Sequence, residues 1–303
     1  RSSDLVGQDM QPMTDRDFRI RLALLWLVIS LLLVFLVRGN IAANVLPDAD
    51  DYMRLQQVRD LLGGQSWFDL HQYRYVPPVG APMHWSRLVD IPIATLILIF
   101  RPFAGEIAAE RIAEIVVPLL TLGCVMALVA TIARRLAGVR PAFLAAALIP
   151  TAPLLWMQLQ PLRIDHHGWQ VATALVMALG LLDQRERRGG IVAGIAAATW
   201  LTISVEGMPF TAAVGGLFAW RWFREDRPAG LESYGWALAG ANLAYFVAMQ
   251  PLSDWSAVRC DSVSAPYVWA LAVVAVGLSL MCRLSPPQLW RLPALGVVAI
   301  CAV

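Results

Sequence analysis

The chain alternates between long apolar segments and short polar ones, and this pattern sets the first expectation about its fold. The apolar runs cover residues 22–37, 91–104, 111–133, 141–159, 169–182, 190–205, 208–222, 233–249, 265–282 and 289–303. A helix that crosses a bilayer needs about 20 predominantly apolar residues, with some tolerance. The pattern therefore predicts an all-α, polytopic membrane protein, with an N-terminal tail at 1–18 and one transmembrane domain at 19–303.

Arginine clusters between the apolar runs indicate which of the runs cross the membrane. They are Arg19/Arg21, Arg134/Arg135/Arg140, Arg185/Arg187/Arg188, Arg221/Arg224/Arg227 and Arg283/Arg291. Cytoplasmic loops carry an excess of Lys and Arg, and all five clusters fall on one face only if run 91–104 does not span. That run is short and contains Pro92 and Pro102, so we expect it to form an interfacial or re-entrant helix. About nine spanning helices then remain, with the N-terminal tail in the cytoplasm.

This topology predicts three polar segments on the opposite side: a first outer loop at 38–110, a second outer loop at 160–168 and a later loop at 250–264. A tight corner at 204–207 faces the same way. All four histidines of the chain, His71, His84, His166 and His167, lie in the first two outer loops. Since a helix-packing role would scatter them, this one-sided distribution indicates a functional site.

The first outer loop begins with a predicted amphipathic helix at 50–62. Tyr52, Leu55, Val58 and Leu62 recur at helical spacing and predict a buried face, while Arg54, Arg59 and Asp60 are expected on the other face. Gly63 and Gly64 are expected to end this helix.

Composition agrees with a membrane protein and narrows its partners. The chain is 58% hydrophobic and 15% charged, with a mean hydropathy of +0.59. A net charge of +2 gives no basis for a nucleic-acid partner, and the four scattered cysteines give no disulfide framework. The first apolar run is too long for a cleavable signal peptide, and the last run is still apolar at Val303. We therefore expect the natural protein to continue beyond this residue.

Three acids, Asp48, Asp50 and Asp51, begin the helix of the first outer loop. One interpretation is N-capping and favourable interaction with the helix dipole. The other is a site for a hard cation or a general base, because paired carboxylates hold Mg²⁺ or Mn²⁺ against phosphates. Three acids at a membrane exit are more than capping alone requires.

The second outer loop contains Asp165-His166-His167, preceded by Arg163. These residues either form a solvated turn that caps the next helix or provide metal ligands, for which Asp and His are both competent. Titratable groups beside a bilayer are costly unless they are exposed or used. We expect the two outer loops to share one site.

Arginines near these acids run against the positive-inside trend; they are Arg54, Arg59, Arg74, Arg87 and Arg163. They either pair with the acids and lipid headgroups or bind pyrophosphate, since the guanidinium fork suits phosphate. Glu206, at the corner 204–207, either lies at the surface or faces the same cavity.

In this order, these elements resemble the membrane domain of oligosaccharyltransferase catalytic subunits, within the broader GT-C glycosyltransferases. Asp48-Ala49-Asp50-Asp51-Tyr52-Met53-Arg54 is similar to the family's Asp-Pro-Tyr-Tyr-His-Met-Arg, and Asp165-His166-His167 stands where the family has Asp-Asn-Glu or Asp-x-Asp. The corner Ser204-Val205-Glu206-Gly207 also resembles a small-residue corner of the family. The family's Trp-Trp-Asp-Tyr-Gly motif does not occur in this chain, so the acceptor is left open.

The resemblance implies a glycosyltransferase that moves a sugar or oligosaccharide from a polyprenyl-phosphate-linked or polyprenyl-diphosphate-linked donor at the outer membrane face. It implies Asp48 as the catalytic residue and Asp48, Asp165 and His167 as ligands of a divalent cation, Mg²⁺ or Mn²⁺. The expected substrate-binding residues are Arg54, His84, Arg87, Arg163 and Glu206. The expected location is a bacterial inner membrane with the site on the periplasmic face.

Two other classes of function remain open from the sequence. A polytopic transporter or lipid flippase would use the acids as a cation or proton site, although such groups usually lie near the bilayer midplane. A non-enzymatic membrane subunit would use the outer loops to bind a partner. Only the glycosyltransferase interpretation requires the carboxylates of Asp48 and Asp165 to lie within one coordination sphere.

Overall fold

The computed structural model describes residues 13–301, and this part of the chain is almost entirely helical. The helices are α1 (Asp15–Leu36), α2 (Arg38–Ala43), α3 (Ala49–Leu62), α4 (Asp90–Ala104), α5 (Glu106–Ala137), α6 (Val139–Leu148), α7 (Pro153–Leu159), α8 (His167–Leu181), α9 (Glu186–Ile203), α10 (Met208–Glu225), α11 (Pro228–Met249), α12 (Ala265–Leu284) and α13 (Gln288–Cys301). Short 3₁₀ turns lie at Ile149–Thr151, Val205–Gly207 and Leu252–Asp254. The predicted all-α class is confirmed.

The N-terminal tail predicted at 1–18 mostly lies outside the described residues. Its last part is already helical, because α1 begins at Asp15. Thr14 caps this helix by accepting a hydrogen bond from the Asp17 backbone N–H at 3.1 Å.

Three described helices, α1, α5 and α12, are long and apolar enough to cross a membrane by length and composition. A fourth span is possible if α6 and α7 count as one broken segment. The expected nine spans therefore remain a prediction. With 15 residues each, α4 and α8 are about 22 Å long, short of a bilayer core of about 30 Å, so the predicted non-spanning role of α4 stays a prediction.

The run 141–159, which we expected to be one continuous helix, is divided in two. Helices α6 and α7 meet at 76° around the turn at 149–151. Pro150 and Pro153 lie at this break, and proline cannot donate the backbone hydrogen bond that a continuous helix needs. The apolar pattern did not show this bend, but Pro150 and Pro153 within the run were a signal for it.

Three clusters of buried side chains hold the described helices together. One contains residues of all five helices from α8 through α12. Another packs α1 against α5, α6, α7 and α8. The third packs the first outer loop against α5 and the second outer loop; it includes Val58, Ile93, Val117, Leu162 and Ile164. This third cluster fixes the two polar loops side by side.

Within the first outer loop, α3 begins and ends close to the predicted helix. Leu55 and Val58 are buried as expected, but Tyr52 is about half exposed and Arg54 is completely buried, so these two were assigned to the wrong faces. Arg54 lies inward because Asp90, at the start of α4, is buried opposite it at 2.9 Å. A two-residue antiparallel ladder between β1 (His71–Gln72) and β2 (Ala81–Pro82) follows, with His71 opposite Pro82.

Candidate active site

The candidate site begins at the N-terminus of α3, where Asp48 is the capping residue. Its side chain accepts a hydrogen bond from the Asp50 backbone N–H at 3.4 Å, so the capping interpretation holds for this acid. The same carboxylate is 47% exposed and lies 3.0 Å from Nη1 of Arg163. Asp48 is therefore both a cap and an accessible carboxylate at the edge of a charged cluster.

Arg163 of the second outer loop connects the acids of both loops. Its Nη1 lies 2.9 Å from Oδ2 of Asp51, and its Nη2 lies 3.2 Å from Oδ2 of Asp165. Asp51 also accepts a hydrogen bond from the Asp165 backbone N–H at 2.9 Å. The structure thus brings together two acidic corners that are more than a hundred residues apart in sequence.

The second outer loop is tied to its surroundings by further hydrogen bonds. The Leu162 backbone N–H donates to the Glu114 carbonyl of α5 at 2.8 Å. Arg163 donates through Nε to Oε1 of Gln158 at 3.1 Å. These bonds fix the guanidinium group in the position from which it reaches the three acids.

Burial and hydrogen bonds change the acidity of the three carboxyl groups in different ways. Burial raises the pKa of Asp51 to about 6, although Arg163 opposes the shift. Burial also disfavours the charged form of Asp165, but hydrogen bonds from His166 and His167 outweigh it and hold that pKa well below its usual range. The hydrogen bond from Arg163 lowers the pKa of Asp48. The hydrogen bond to Asp165 in turn raises the pKa of His167, so carboxylates, imidazoles and the Arg163 guanidinium form one coupled charged cluster.

Asp165, His166 and His167 form a compact group of possible metal ligands. One ligand atom from each residue lies within 4.8 Å of the others. His167 Nδ1 is 2.5 Å from Oδ2 of Asp165, His166 Nδ1 contacts Oδ1, and the two imidazole rings stack at 4.4 Å between centroids. The carboxylate of Asp165 is completely buried. These donors are close enough to bind one cation together.

His166 is the member of this group that we did not predict as a ligand. Asp48, which was predicted as a ligand, is not part of this group. Instead, the guanidinium of Arg163 contacts both Asp48 and Asp165. Two nitrogen donors and one oxygen donor suit a transition metal better than Mg²⁺, which prefers oxygen ligands.

Glu206 lies at the edge of the same cluster, on the turn between α9 and α10. Its Oε2 accepts a hydrogen bond from Nε2 of Gln170 at 2.9 Å and lies 4.0 Å from Nε2 of His166. The hydrogen bond from Gln170 lowers the pKa of Glu206, and 63% of its side chain is exposed. Glu206 therefore presents an ionised carboxylate to solvent next to the imidazoles.

An aromatic side chain links the histidine pair to the first outer loop. The Trp85 ring lies 5.6 Å from the His166 ring, and the exposed His84 meets Trp85 edge-on at 5.3 Å. The guanidinium of Arg54 lies over the Trp85 ring, with Cζ 4.6 Å from the ring centroid. The first outer loop thus places His84 and Arg54 around one tryptophan beside the site.

The structure places Arg54 and Arg87 on Asp90, with both guanidinium groups completely buried. Arg87 fills its hydrogen-bonding capacity with carbonyl oxygens, among them that of Asp69 at 2.6 Å. Arg54 keeps Nε and Nη2 without an acceptor among the described residues. Contact between either arginine and a phosphate would therefore need movement of the first outer loop, and their predicted binding role stays a prediction.

Two other arginines of the first outer loop pair with acids. Arg59 binds both carboxylate oxygens of Glu110 at 2.7 and 2.6 Å, and Arg74 lies 3.0 Å from Asp60. The ion-pair interpretation therefore holds for these two residues.

The described residues form an all-α fold in which helices pack around two converging polar loops. Three of these helices are long and apolar enough to cross a membrane. The structure is similar to the crystal structure of the Archaeoglobus fulgidus oligosaccharyltransferase in the apo form, with a TM-score of 0.65 and 16% sequence identity. The similarity covers 89% of this chain and 33% of that chain, so this chain spans about a third of that protein's length. The predicted resemblance to oligosaccharyltransferases is confirmed as a similarity of fold. No protein-family model and no curated protein sequence matches the chain.

Asp51 is the second site residue that sequence reasoning underrated, because the motif comparison gave the weight to Asp48. A signal was present in the spacing, since Asp51, Arg54, Leu55 and Val58 form one i, i+3, i+4, i+7 stripe on a helix. All four are buried, so the stripe marked the inward face correctly.

Proposed function

We propose that this chain is a glycosyltransferase that takes a sugar or oligosaccharide from a polyprenyl-linked phosphate or diphosphate donor at the outer face of the membrane. The observation that carries the proposal is the meeting of Asp48, Asp51 and Asp165 on Arg163, beside two imidazoles. The similarity of fold to an oligosaccharyltransferase supports the same class of reaction.

Asp165, His166 and His167 are the residues that would hold a divalent cation. When bound there, such a cation supplies a Lewis acid that neutralises charge on the departing phosphate. Asp51 would act beside this group, since its carboxylate fixes the Asp165 backbone and Arg163 together. The spacing of the three donors fits a cation at this place.

Asp48 is proposed as the residue that orients the acceptor or acts as its general base. It is the most exposed of the three acids bound to Arg163, so an acceptor can reach it without unfolding the loop. Its lowered pKa keeps it ionised at neutral pH, which suits an orienting hydrogen bond.

Arg163, His84 and Glu206 are proposed to contact the donor headgroup. Arg163 would stabilise the charge that develops on the leaving phosphate, because a fixed guanidinium needs no reorganisation during the reaction. His84 and Glu206 are exposed on two sides of the imidazole pair and provide polar contacts for the sugar. Arg54 and Arg87 would join them if the donor opens the first outer loop.

A lipid-linked donor explains why such a site lies among helix ends rather than in a separate soluble domain. The polyprenyl chain can stay in the bilayer while the headgroup enters from the side. We therefore propose that the protein is a multi-pass protein of a bacterial inner membrane, with the site on the periplasmic face and the N-terminus in the cytoplasm.

Transfer of a labelled sugar from a lipid-linked donor tests the proposal. The full-length protein is reconstituted in vesicles, and Asp48→Asn and Asp165→Asn are each expected to lower the rate about 100-fold or more. Asp254→Asn is the matched control, because Asp254 lies in the later loop at 250–264, where its described side-chain partners are Arg259 and Ser253. Wild-type rates in both site variants would remove these acids from the chemistry.

A further inference from the structure

A long groove runs along the outside of the bundle, away from the candidate active site. It has a volume of about 630 Å³ and lies among α9, α11 and α12. Its walls include Ile195, Trp236 and Gly240, and charged residues Arg187, Glu232 and Arg283 line it as well. Nothing in the proposed sugar transfer uses these residues.

The packing of α9 on α11 shows that all the charged residues lie at one end of the groove. A Cβ on Gly190 would meet Gly230 and Ser233, and one on Gly194 would meet Ala237 one turn further along both helices. The two helices therefore run in the same direction, so Arg187 near the start of α9 and Glu232 near the start of α11 share an end. Arg283, at the end of α12, lies 3.3 Å from Glu232 and joins them.

The length and charge of the groove match a phospholipid. From Ala229 to Ala241 the groove follows α11 for about 18 Å, close to the thickness of about 15 Å of one leaflet of hydrocarbon. Two arginines face one acid at the charged end, and no described acid forms an ion pair with Arg187. A negative headgroup is therefore favoured there, above an apolar channel that fits an acyl chain.

The geometry points to a binding site for an anionic glycerophospholipid in this groove, with the phosphate at Arg187 and Arg283 and one acyl chain along Trp236 and Gly240. Basic recesses between helices on the arginine-rich side of a membrane bind such headgroups. The site is independent of sugar transfer, and its charged end lies in the same loops that the arginine pattern assigns to the cytoplasmic face.

Native mass spectrometry of the full chain in detergent tests this site with two lipids of identical acyl chains, palmitoyl-oleoyl phosphatidylglycerol and palmitoyl-oleoyl phosphatidylcholine. The phosphatidylglycerol adduct is expected to survive activation that removes phosphatidylcholine. Arg187→Gln is expected to weaken phosphatidylglycerol binding about fivefold, the value for one arginine near an anionic surface. Arg224→Gln, an exposed arginine at the end of α10 outside the groove, is expected to leave it unchanged.

Removal of the negative charge in the groove provides a second test of the site. Glu232→Gln removes the acid from the groove and releases Arg283, so phosphatidylglycerol binding is expected to become tighter by about fivefold. A variant that merely damages the fold would weaken lipid binding, so tighter binding in Glu232→Gln cannot result from a damaged fold.

Filling the apolar part of the groove provides a third test. Nothing lies within 4 Å of a Cβ built on Gly240, so Gly240→Leu fills the channel without disturbing helix packing. Gly216→Leu is the control, because Gly216 is equally open but lies on α10 outside the groove. Loss of the adduct only in Gly240→Leu is expected. Equal retention of both lipids, equal loss in Arg187→Gln and Arg224→Gln, or identical behaviour of the two glycine variants would overturn the assignment.

Discussion

At the scale of single residues, Arg163 is the side chain on which the candidate site depends. It is 7% exposed and meets the carboxylates of Asp48, Asp51 and Asp165 within 3.2 Å. A buried charge is tolerated in a protein only where partners of opposite charge compensate it. Arg163 therefore does more than bind a substrate, since it compensates two acids that have almost no contact with water.

Replacement of Arg163 by Met is expected to destabilise the protein strongly. The change leaves Asp51 and Asp165 buried without their shared cation, and removal of one partner of a buried pair typically costs about 3–5 kcal/mol. Thermal unfolding in detergent measures the effect, and Arg74→Met is the control, since its exposed pair with Asp60 contributes at most about 1 kcal/mol.

A double variant distinguishes this explanation from a general packing defect. Arg163→Met combined with Asp51→Asn removes both members of one pair, so part of the lost stability is expected to return. If the loss of stability in the double variant equals the sum of the losses in the two single variants, the charges do not interact as the structure shows.

The three ligand residues make a separate prediction about divalent cations. Mn²⁺ is expected to raise the midpoint of thermal unfolding of the wild type, because a ligand that binds only the native state stabilises it. Asp165→Asn and His166→Ala are expected to reduce this rise, while Asp254→Asn keeps it. An identical rise in all four proteins would show that Mn²⁺ binds elsewhere.

At the scale of helices, close contact between α9 and α11 depends on two glycines. A Cβ on Gly190 would lie 2.1 Å from Oγ of Ser233, and one on Gly194 would lie 2.6 Å from the Tyr234 carbonyl oxygen. Small residues at helix interfaces allow this approach of two backbones in membrane proteins. The two glycines therefore set the distance between two of the helices that line the groove proposed to bind a phospholipid.

Gly190→Ala is expected to destabilise the protein by about 1–3 kcal/mol, because the added methyl group overlaps with backbone atoms of α11. Gly240→Ala, on the open side of α11, is expected to be neutral or to stabilise by up to about 1 kcal/mol. Thermal unfolding of both variants provides the comparison. Equal stability would show that α9 and α11 do not pack at this distance.

The elements that the sequence predicted best are those with a strong local signal. The helix at the start of the first outer loop has capping acids, a buried stripe and terminal glycines, and α3 has nearly the expected bounds. The break between α6 and α7 does not interrupt the apolar pattern, and only the prolines at 150 and 153 mark it in the sequence. Burial of Arg54 was also hidden, since it depends on Asp90, which lies 36 residues away.

At the scale of the molecule, order along the chain was more informative than the identity of any one residue. The sequence predicted that Asp48 and Asp165 belong to one site because both were assigned to the same side of the membrane. The partners of these acids were not predictable in detail, because the Arg163 contacts require the packing of α3 and α5 around Leu162 and Ile164. The fold similarity to an oligosaccharyltransferase at 16% identity agrees with this, since the backbones are similar although most side chains differ.

The most direct test of the central claim is a crystal or cryo-electron microscopy structure of the full-length protein with Mn²⁺ and a non-hydrolysable analogue of a polyprenyl-diphosphate-linked sugar. The account predicts the cation on Asp165, His166 and His167, the diphosphate within reach of Arg163 and the sugar towards Asp48. Binding of the headgroup at the arginine-rich end of the bundle, or a cation away from these three residues, would contradict it.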